Sequence, residues 1–150
     1  MGSRIPEVIA RLTALGKADV GLDGVQVSDG PEVTGTSAPD WLLVGFDGDQ
    51  TGDFEAAQSV SDWADLGGGR EEEFQVTVAA LAKRGDTDIV SARARVYEIG
   101  DRVEAWMHAD PTLGLDSLQA AVVGTRLVQD QAGHGSTAVL LMTVAGRGFT

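Results

Sequence analysis

The stretch 88–111, DIVSARARVYEIGDRVEAWMHADP, constrains the fold more than any other part of the chain. Ile89, Ala92, Val96, Ile99, Val103 and Trp106 recur at steps of three or four, so they line one face of a helix with a 3.6-residue period. Arg93, Arg95, Glu98, Arg102 and Glu104 fall mostly on the other side. Asp86, Thr87 or Asp88 supplies an oxygen to cap the first turn. Pro111 ends the helix, because a proline disfavours helical geometry in the residue before it. A helix this long with one apolar stripe must bury that stripe against another layer. Extended segments flank it on both sides, so the spacing predicts a sheet with this helix across one face.

The rest of the chain supplies that sheet. Residues 3–17 predict a second helix: Ser3 caps it, Pro6 suits its first turn, and Ile5, Val8, Ile9, Leu12 and Leu15 form its stripe. Residues 25–27 read as a short strand, stopped by Asp29, Gly30 and Pro31, and 32–39 read as loop. The run WLLVGF at 41–46 is continuously apolar, as in a central strand buried on both faces. Residues 47–69 are the least regular. Ala56, Val60, Trp63 and Leu66 suit a helical turn or a strand equally, and Gly67, Gly68 and Gly69 break whatever precedes them. In 71–81, Phe74, Val76, Val78 and Ala80 alternate with Gln75, Thr77 and Ala79, which predicts a strand with one buried face. A turn at 83–86 leads into the long helix, and a compact loop at 112–115 leaves it. Residues 118–131 and 136–145 then form a closing antiparallel pair around a glycine-rich hairpin loop at 131–135. The expected architecture is α+β, one domain over residues 1–150. It has a mixed or antiparallel sheet of about five strands, packed by one long helix and an N-terminal helix, in the order α-β-β-β-α-β-β.

Composition narrows the function. Apolar residues make up 43% of the 150, enough for a real core. The absence of cysteine excludes disulfides, thiol catalysis and cysteine-ligated metal. The amphipathic opening MGSRIPEVIARL is unlike a signal peptide, and no apolar run reaches the eighteen or so residues of a membrane span, so no membrane partner is expected. The formal net charge is -12. Between 40 and 73 stand ten acids, Asp40, Asp47, Asp49, Asp53, Glu55, Asp62, Asp65, Glu71, Glu72 and Glu73, against Arg70 alone. Such a surface repels phosphate, so it does not grip nucleic acid, which takes lysine and arginine to displace counterions.

Few residues suggest chemistry. Asp47, Asp49, Thr51 and Gly52 match the start of a calcium loop, with Asp53 and Glu55 close behind, but the twelfth position is Gln58 where a bidentate glutamate is needed. Those acids also read as a solvated loop. His108 suits the end of the long helix and its dipole, and His134 lies in the hairpin loop. No Gly-x-Ser-x-Gly elbow is present, and Gly67, Gly68 and Gly69 lack the Lys-Ser or Lys-Thr of a phosphate-cradling loop. No enzyme activity and no cofactor are expected. Trp41, Trp63 and Trp106 are the aromatic anchors, with Trp106 on the core stripe and Trp63, among acids, a candidate subunit contact.

The ordered set of pieces resembles a known family, the tail terminator (tail completion or minor tail) proteins of long-tailed phages, especially those infecting actinobacteria. The resemblance rests on the N-terminal helix and strand ending in DGP at 29–31, on DWLLVGFDGD at 40–49, and on WADLG at 63–67. It continues with REEEF at 70–74, the long helix ending in ADPTLG at 109–114, and the closing hairpin. It implies a structural virion protein at the head–tail junction, assembled in the host cytoplasm. There it would form a hexameric ring that caps the tail tube, stops tube polymerisation and offers a surface to the head-side connector, while genomic DNA passes through the lumen without specific binding. By analogy, Asp47, Asp49, Asp53, Glu55, Trp63, Arg70 and Glu71 are expected at subunit contacts or facing the lumen. Another neck or connector protein of a phage, or a small metal-binding protein using the 47–55 loop, are the alternative readings.

Overall fold

The structure is a computed structural model that describes residues 2–31, 38–63, 69–132 and 135–150. In chain order it contains α1 (Ile5–Ala18), a 3-10 turn (Val20–Leu22), β1 (Gln26–Asp29), β2 (Asp40–Val44), β3 (Ala57–Trp63), β4 (Arg70–Arg84), α2 (Ile89–Ala109), β5 (Leu118–Ala132) and β6 (Gly135–Phe149). The fold is α+β, as the sequence predicts. One mixed sheet of six strands runs β1-β2-β4-β6-β5, and β3 also pairs with β4. Only β1 and β2 are parallel. β2 and β3 share one edge of β4 end to end: β2 lies against Ala82 to Val78 and β3 against Val76 to Arg70.

Both helices pack on one face. Ala92, Val96, Ile99 and Val103 of α2 meet Val76, Val78 and Ala80 of β4, and Leu140, Met142 and Val144 of β6, in the main core. Ile89 and Trp106 close the ends of the stripe, partly buried. Each such aliphatic side chain contributes about 1.5–3 kcal/mol relative to an exposed one. Gly100 brings α2 close to β6: a Cβ there would stand 2.7 Å from Leu140 Cδ2. Asp88 is the residue that caps the helix, accepting from the Ser91 amide at 3.0 Å. α1 adds Val8 and Leu12 over β1 and β2.

A smaller cluster lies on the opposite face, where Leu43, Phe46 and Ala79 pack with Trp41, Val139 and Leu141. β2 is therefore buried on both faces, as its unbroken apolar run predicts. It ends at Val44, two residues short of the expected end. Gly45 turns the chain with φ +76°, a conformation favourable only for glycine, and donates its amide to the Thr77 carbonyl at 2.7 Å. Phe46, so redirected, stacks on Phe54 with centroids 5.5 Å apart.

Other expectations shift as well, beyond small changes at the ends of α1 and β1. Residues 57–63, which periodicity left between helix and strand, are β3, and this makes the sheet six strands rather than five. Lys83 and Arg84 extend β4 instead of turning, because β6 pairs with them through Thr137 and Ser136. β6 runs to Phe149 rather than 145, pairing Glu71, Glu72 and Glu73 of β4. The expectations for residues 32–37, Asp65, Leu66, Gly67, Gly68 and His134 lie outside the described residues.

Candidate assembly interface

Two acids in the 40–73 stretch are structural. Three consecutive glutamates on one strand must alternate faces, so Glu71 and Glu73 face away from the helices and Glu72 shares the inward face of Phe74 and Val76. Glu72 is 1% exposed. Its carboxylate accepts from the Arg4 amide at 2.7 Å and from the Ser3 hydroxyl. It thus caps α1 from another strand, where the helix dipole favours negative charge. The Arg4 guanidinium donates to the carbonyls of Phe149 and Asp116, so the chain ends and the α2–β5 loop are tied at one place. Asp40 accepts from Arg84 at 2.8 Å and Arg95 at 3.2 Å, linking β2 to α2. Burial pulls the Arg95 guanidinium down, but Glu98 and Asp40 more than reverse this and raise it.

Asp19, outside that stretch, closes the joint between the helices. Its carboxylate accepts from Arg102 Nε, the Trp106 indole N–H and the Gly21 amide, each at 2.8 Å. Burial pushes the carboxyl up, while these donors, Arg102 first, outweigh it and hold it below the ordinary value.

The candidate contact residues separate into two places. Asp47, Asp49, Asp53 and Glu55 lie in the loop between β2 and β3. Asp47 accepts from the Asp49 amide at 2.8 Å, and Asp53 from the Glu55 amide at 3.0 Å. Asp49 accepts from the amide and hydroxyl of Thr51, which hold its carboxyl below the ordinary value. These are local turns of the kind aspartate makes with its own backbone. Among the described residues, no group of three or more acid or histidine side chains is placed to hold a metal ion. The loop crosses the outer face of the sheet, with Gly48 over Leu43, Leu81 and Val139.

Trp63, Arg70 and Glu71 come together elsewhere, at the far end of the β3–β4 ladder. Trp63 pairs with Arg70, whose guanidinium lies 5.0 Å from the centre of its ring. Glu71 stands 3.6 Å from Arg147. Around them β3 is bare. Only Ala57 is partly covered; Val60 is 72% exposed and Trp63 68%. β3 is held by its ladder to β4 and by a Gln58 to Gln75 side-chain bond at 3.1 Å.

The opposite side of the sheet has a similar edge that sequence reading did not single out. β5 ends the strand order. Its Ala120 amide donates to the Pro111 carbonyl at 2.8 Å, so the α2–β5 loop occupies the first part of this edge, and no other strand among the described residues pairs with the rest. A bulge between Val122 and Gly124 turns Val123 outward, 63% exposed, and Val128 is 45% exposed. Arg126 lies between them. Arg93 of α2 reaches the same strand through Gln129 at 3.0 Å, with Val90 and Tyr97 exposed beside it. A shallow depression of about 610 Å³ runs across the sheet between the two edges, lined by Val60, Glu73, Ala121, Ala145 and Arg147 among others.

Solved structures share this fold. One is a chain described as belonging to the virion of a native gene transfer agent particle, aligned over 94% of this chain and 95% of that one, with TM-score 0.58 and 13% identity. No family model matches the sequence, and no curated protein matches it. A likeness at this identity establishes a common fold along nearly the whole length of both chains. No helix of the described residues is long and apolar enough to cross a membrane.

Sequence reading missed the inward Glu72 and the β5 edge for different reasons. The glutamate was legible, since period-two alternation from Phe74 and Val76 carries position 72 inward. The β5 edge was not, because the order of strands in a sheet comes from pairing and is not written in any local pattern.

Proposed function

We propose that this chain is a structural virion subunit that assembles into a ring, six-fold by resemblance, at the top of a phage-type tail tube. There it ends tube growth and presents a surface to the head-side connector. The observation that carries the reading is the end-to-end fold likeness to a virion chain. The ordered sequence pieces that resemble tail terminators point the same way. A ring needs a heterologous interface, one surface meeting a different surface on the next copy, closed by rotation. The bare β3 edge and the open β5 edge are two different surfaces on opposite sides of one sheet. The loop acids Asp49, Asp53 and Glu55 are exposed and, in such a ring, would keep DNA phosphates from adhering as they pass.

Light scattering across concentration and salt, with electron images of large species and with purified tail tubes added, tests the reading. Rings with a hole wide enough for duplex DNA, seated on one end of each tube, are the expected result. Rings that ignore tubes but bind a portal-side connector would move the subunit to another level of the neck. A stable dimer that never forms a ring, with or without tubes, would sink the reading.

A further inference from the structure

Free strand edges carry unpaired N–H and C=O groups and are templates for another strand. This sheet leaves two long ones among the described residues, and each carries exposed apolar side chains: Val60 and Trp63 on β3, Val123 and Val128 on β5. We propose that β3 of one copy pairs with β5 of the next, so that the sheet continues from subunit to subunit around the ring. This rests on the ring reading above and names the surfaces that build it.

Strand direction favours it. β3 is antiparallel to β4, β4 to β6, and β6 to β5, so β3 and β5 run in opposite senses. A rotation about an axis near the strand direction preserves those senses, and the neighbour's β5 therefore meets β3 antiparallel, the more stable ladder. Charge favours it too. Asp62 and Glu73 on the β3 side have no ion pair among the described residues, and Glu71 has only a loose one. Arg126 on β5 has no acidic partner among them either, and Arg93 beside it bonds only a glutamine side chain. Asp130 is the one acid on the free length of β5. β1 is too short to compete, with four residues.

The two edges are not level. β3 lies beside the first half of β4, Arg70 to Val76. The free length of β5 lies, through β6, beside the second half, Val76 to Arg84. Neighbours must be staggered along the strands, and a closed ring absorbs such a stagger by tilting its strands, as barrels do.

The chain has no cysteine, so introduced thiols report contacts cleanly. Val60→Cys is combined in turn with Val123→Cys, Gly124→Cys and Val128→Cys, which the ladder registers place at the bulge or on the same outer face as Val60, and assembled protein is oxidised. At least one combination should give a ladder of covalent multimers ending at the ring size, with no ladder from either single variant. In parallel, Glu73→Lys and Arg126→Glu should each lower the ring fraction at least tenfold, and the two together should restore it. Rings without a ladder and without any effect of the charge reversals would overturn the edge pairing and leave the ring reading intact. Disulfide dimers from a β5 variant alone would replace it with β5–β5 pairing. Ladders without closed rings would support the edge pairing and sink the ring reading instead. Protein that stays monomeric even with tubes, giving no ladder, would sink both.

Discussion

The 70–149 block and the β3 segment use the same backbone hydrogen bonds for opposite purposes. In the block, the inward apolar residues of β4 and β6 pack with the α2 stripe in one buried core. In β3, the ladder to β4 is complete over seven residues, yet neither face is covered beyond Ala57. The block is a strand arrangement stabilised by what it buries. β3 is held by its ladder and by surface side-chain contacts to β4, and Val60 and Trp63 on it are exposed. A protein rarely leaves an exposed tryptophan and valine on a free edge unless another chain covers them. The contrast separates the part that makes the subunit fold from the part proposed above for association.

Breaking the block should cost most. Ile99 is fully buried between β4 and β6. Ile99→Ala should lower unfolding free energy by about 2–5 kcal/mol, through lost apolar transfer and the cavity left behind. Urea melts read this directly. A loss below about 1 kcal/mol would mean that the stripe is not the centre of the core.

The three glutamates sharpen the comparison within one strand. Glu72→Ala removes the acceptor for the Arg4 amide and the Ser3 hydroxyl, and should cost about 1–3 kcal/mol. Glu71→Ala and Glu73→Ala, on the other face, should stay within about 0.5 kcal/mol. Equal losses at all three positions would contradict the trans cap.

Legibility in the sequence follows the same division. α2, β4 and the closing hairpin announce themselves because burial imposes a period on the sequence. Ile89 to Trp106 keeps 3.6 and Phe74 to Ala80 keeps 2. β3 imposes no period, since Ser59, Val60, Ser61 and Asp62 all meet solvent, and the same residues read as helix or strand with equal ease. Trp63 was picked out as a contact because a tryptophan among acids is conspicuous. The β5 edge was invisible, because only the pairing of β5 with β6 shows which strand ends the sheet. The grouping of Asp47, Asp49, Asp53 and Glu55 with Trp63, Arg70 and Glu71 as one surface is also divided by the structure, into a loop over the second core cluster and the end of the β3–β4 ladder.

A smaller effect tests the joint that holds α1 and α2 to the same face. The Asp19 carboxyl lies below its ordinary value of 3.8 in the folded chain. A depressed acid stabilises the fold fully above its unfolded value, and that contribution is lost as pH falls through the folded value. Asp19→Asn should therefore cost about 1.5 kcal/mol at pH 7, where the charged acceptor faces Arg102 and Trp106. The difference between the two proteins should shrink below about pH 4 and vanish once the wild-type carboxyl is protonated. A penalty equal at pH 7 and pH 3 would show that shape, not charge, is what Asp19 supplies.

The smallest effect on stability should accompany the largest effect on assembly. Val60→Ser changes a side chain that is 72% exposed and outside both core clusters, so the melting of the monomer should change by no more than about 0.5 kcal/mol. The same substitution removes an apolar contact from the centre of β3, where the neighbouring copy would seat. Central apolar contacts carry most of an interface's energy, so the concentration needed for rings should rise about tenfold or more, which corresponds to about 1.4 kcal/mol per contact. Repeated six times around a ring, such a loss would empty the assembled state at concentrations where the wild-type chain fills it. Light scattering on protein first shown by urea melts to be natively stable reads the two quantities separately. If Val60→Ser weakens folding and assembly in equal measure, β3 belongs to the subunit's own core and the division drawn between the two regions fails.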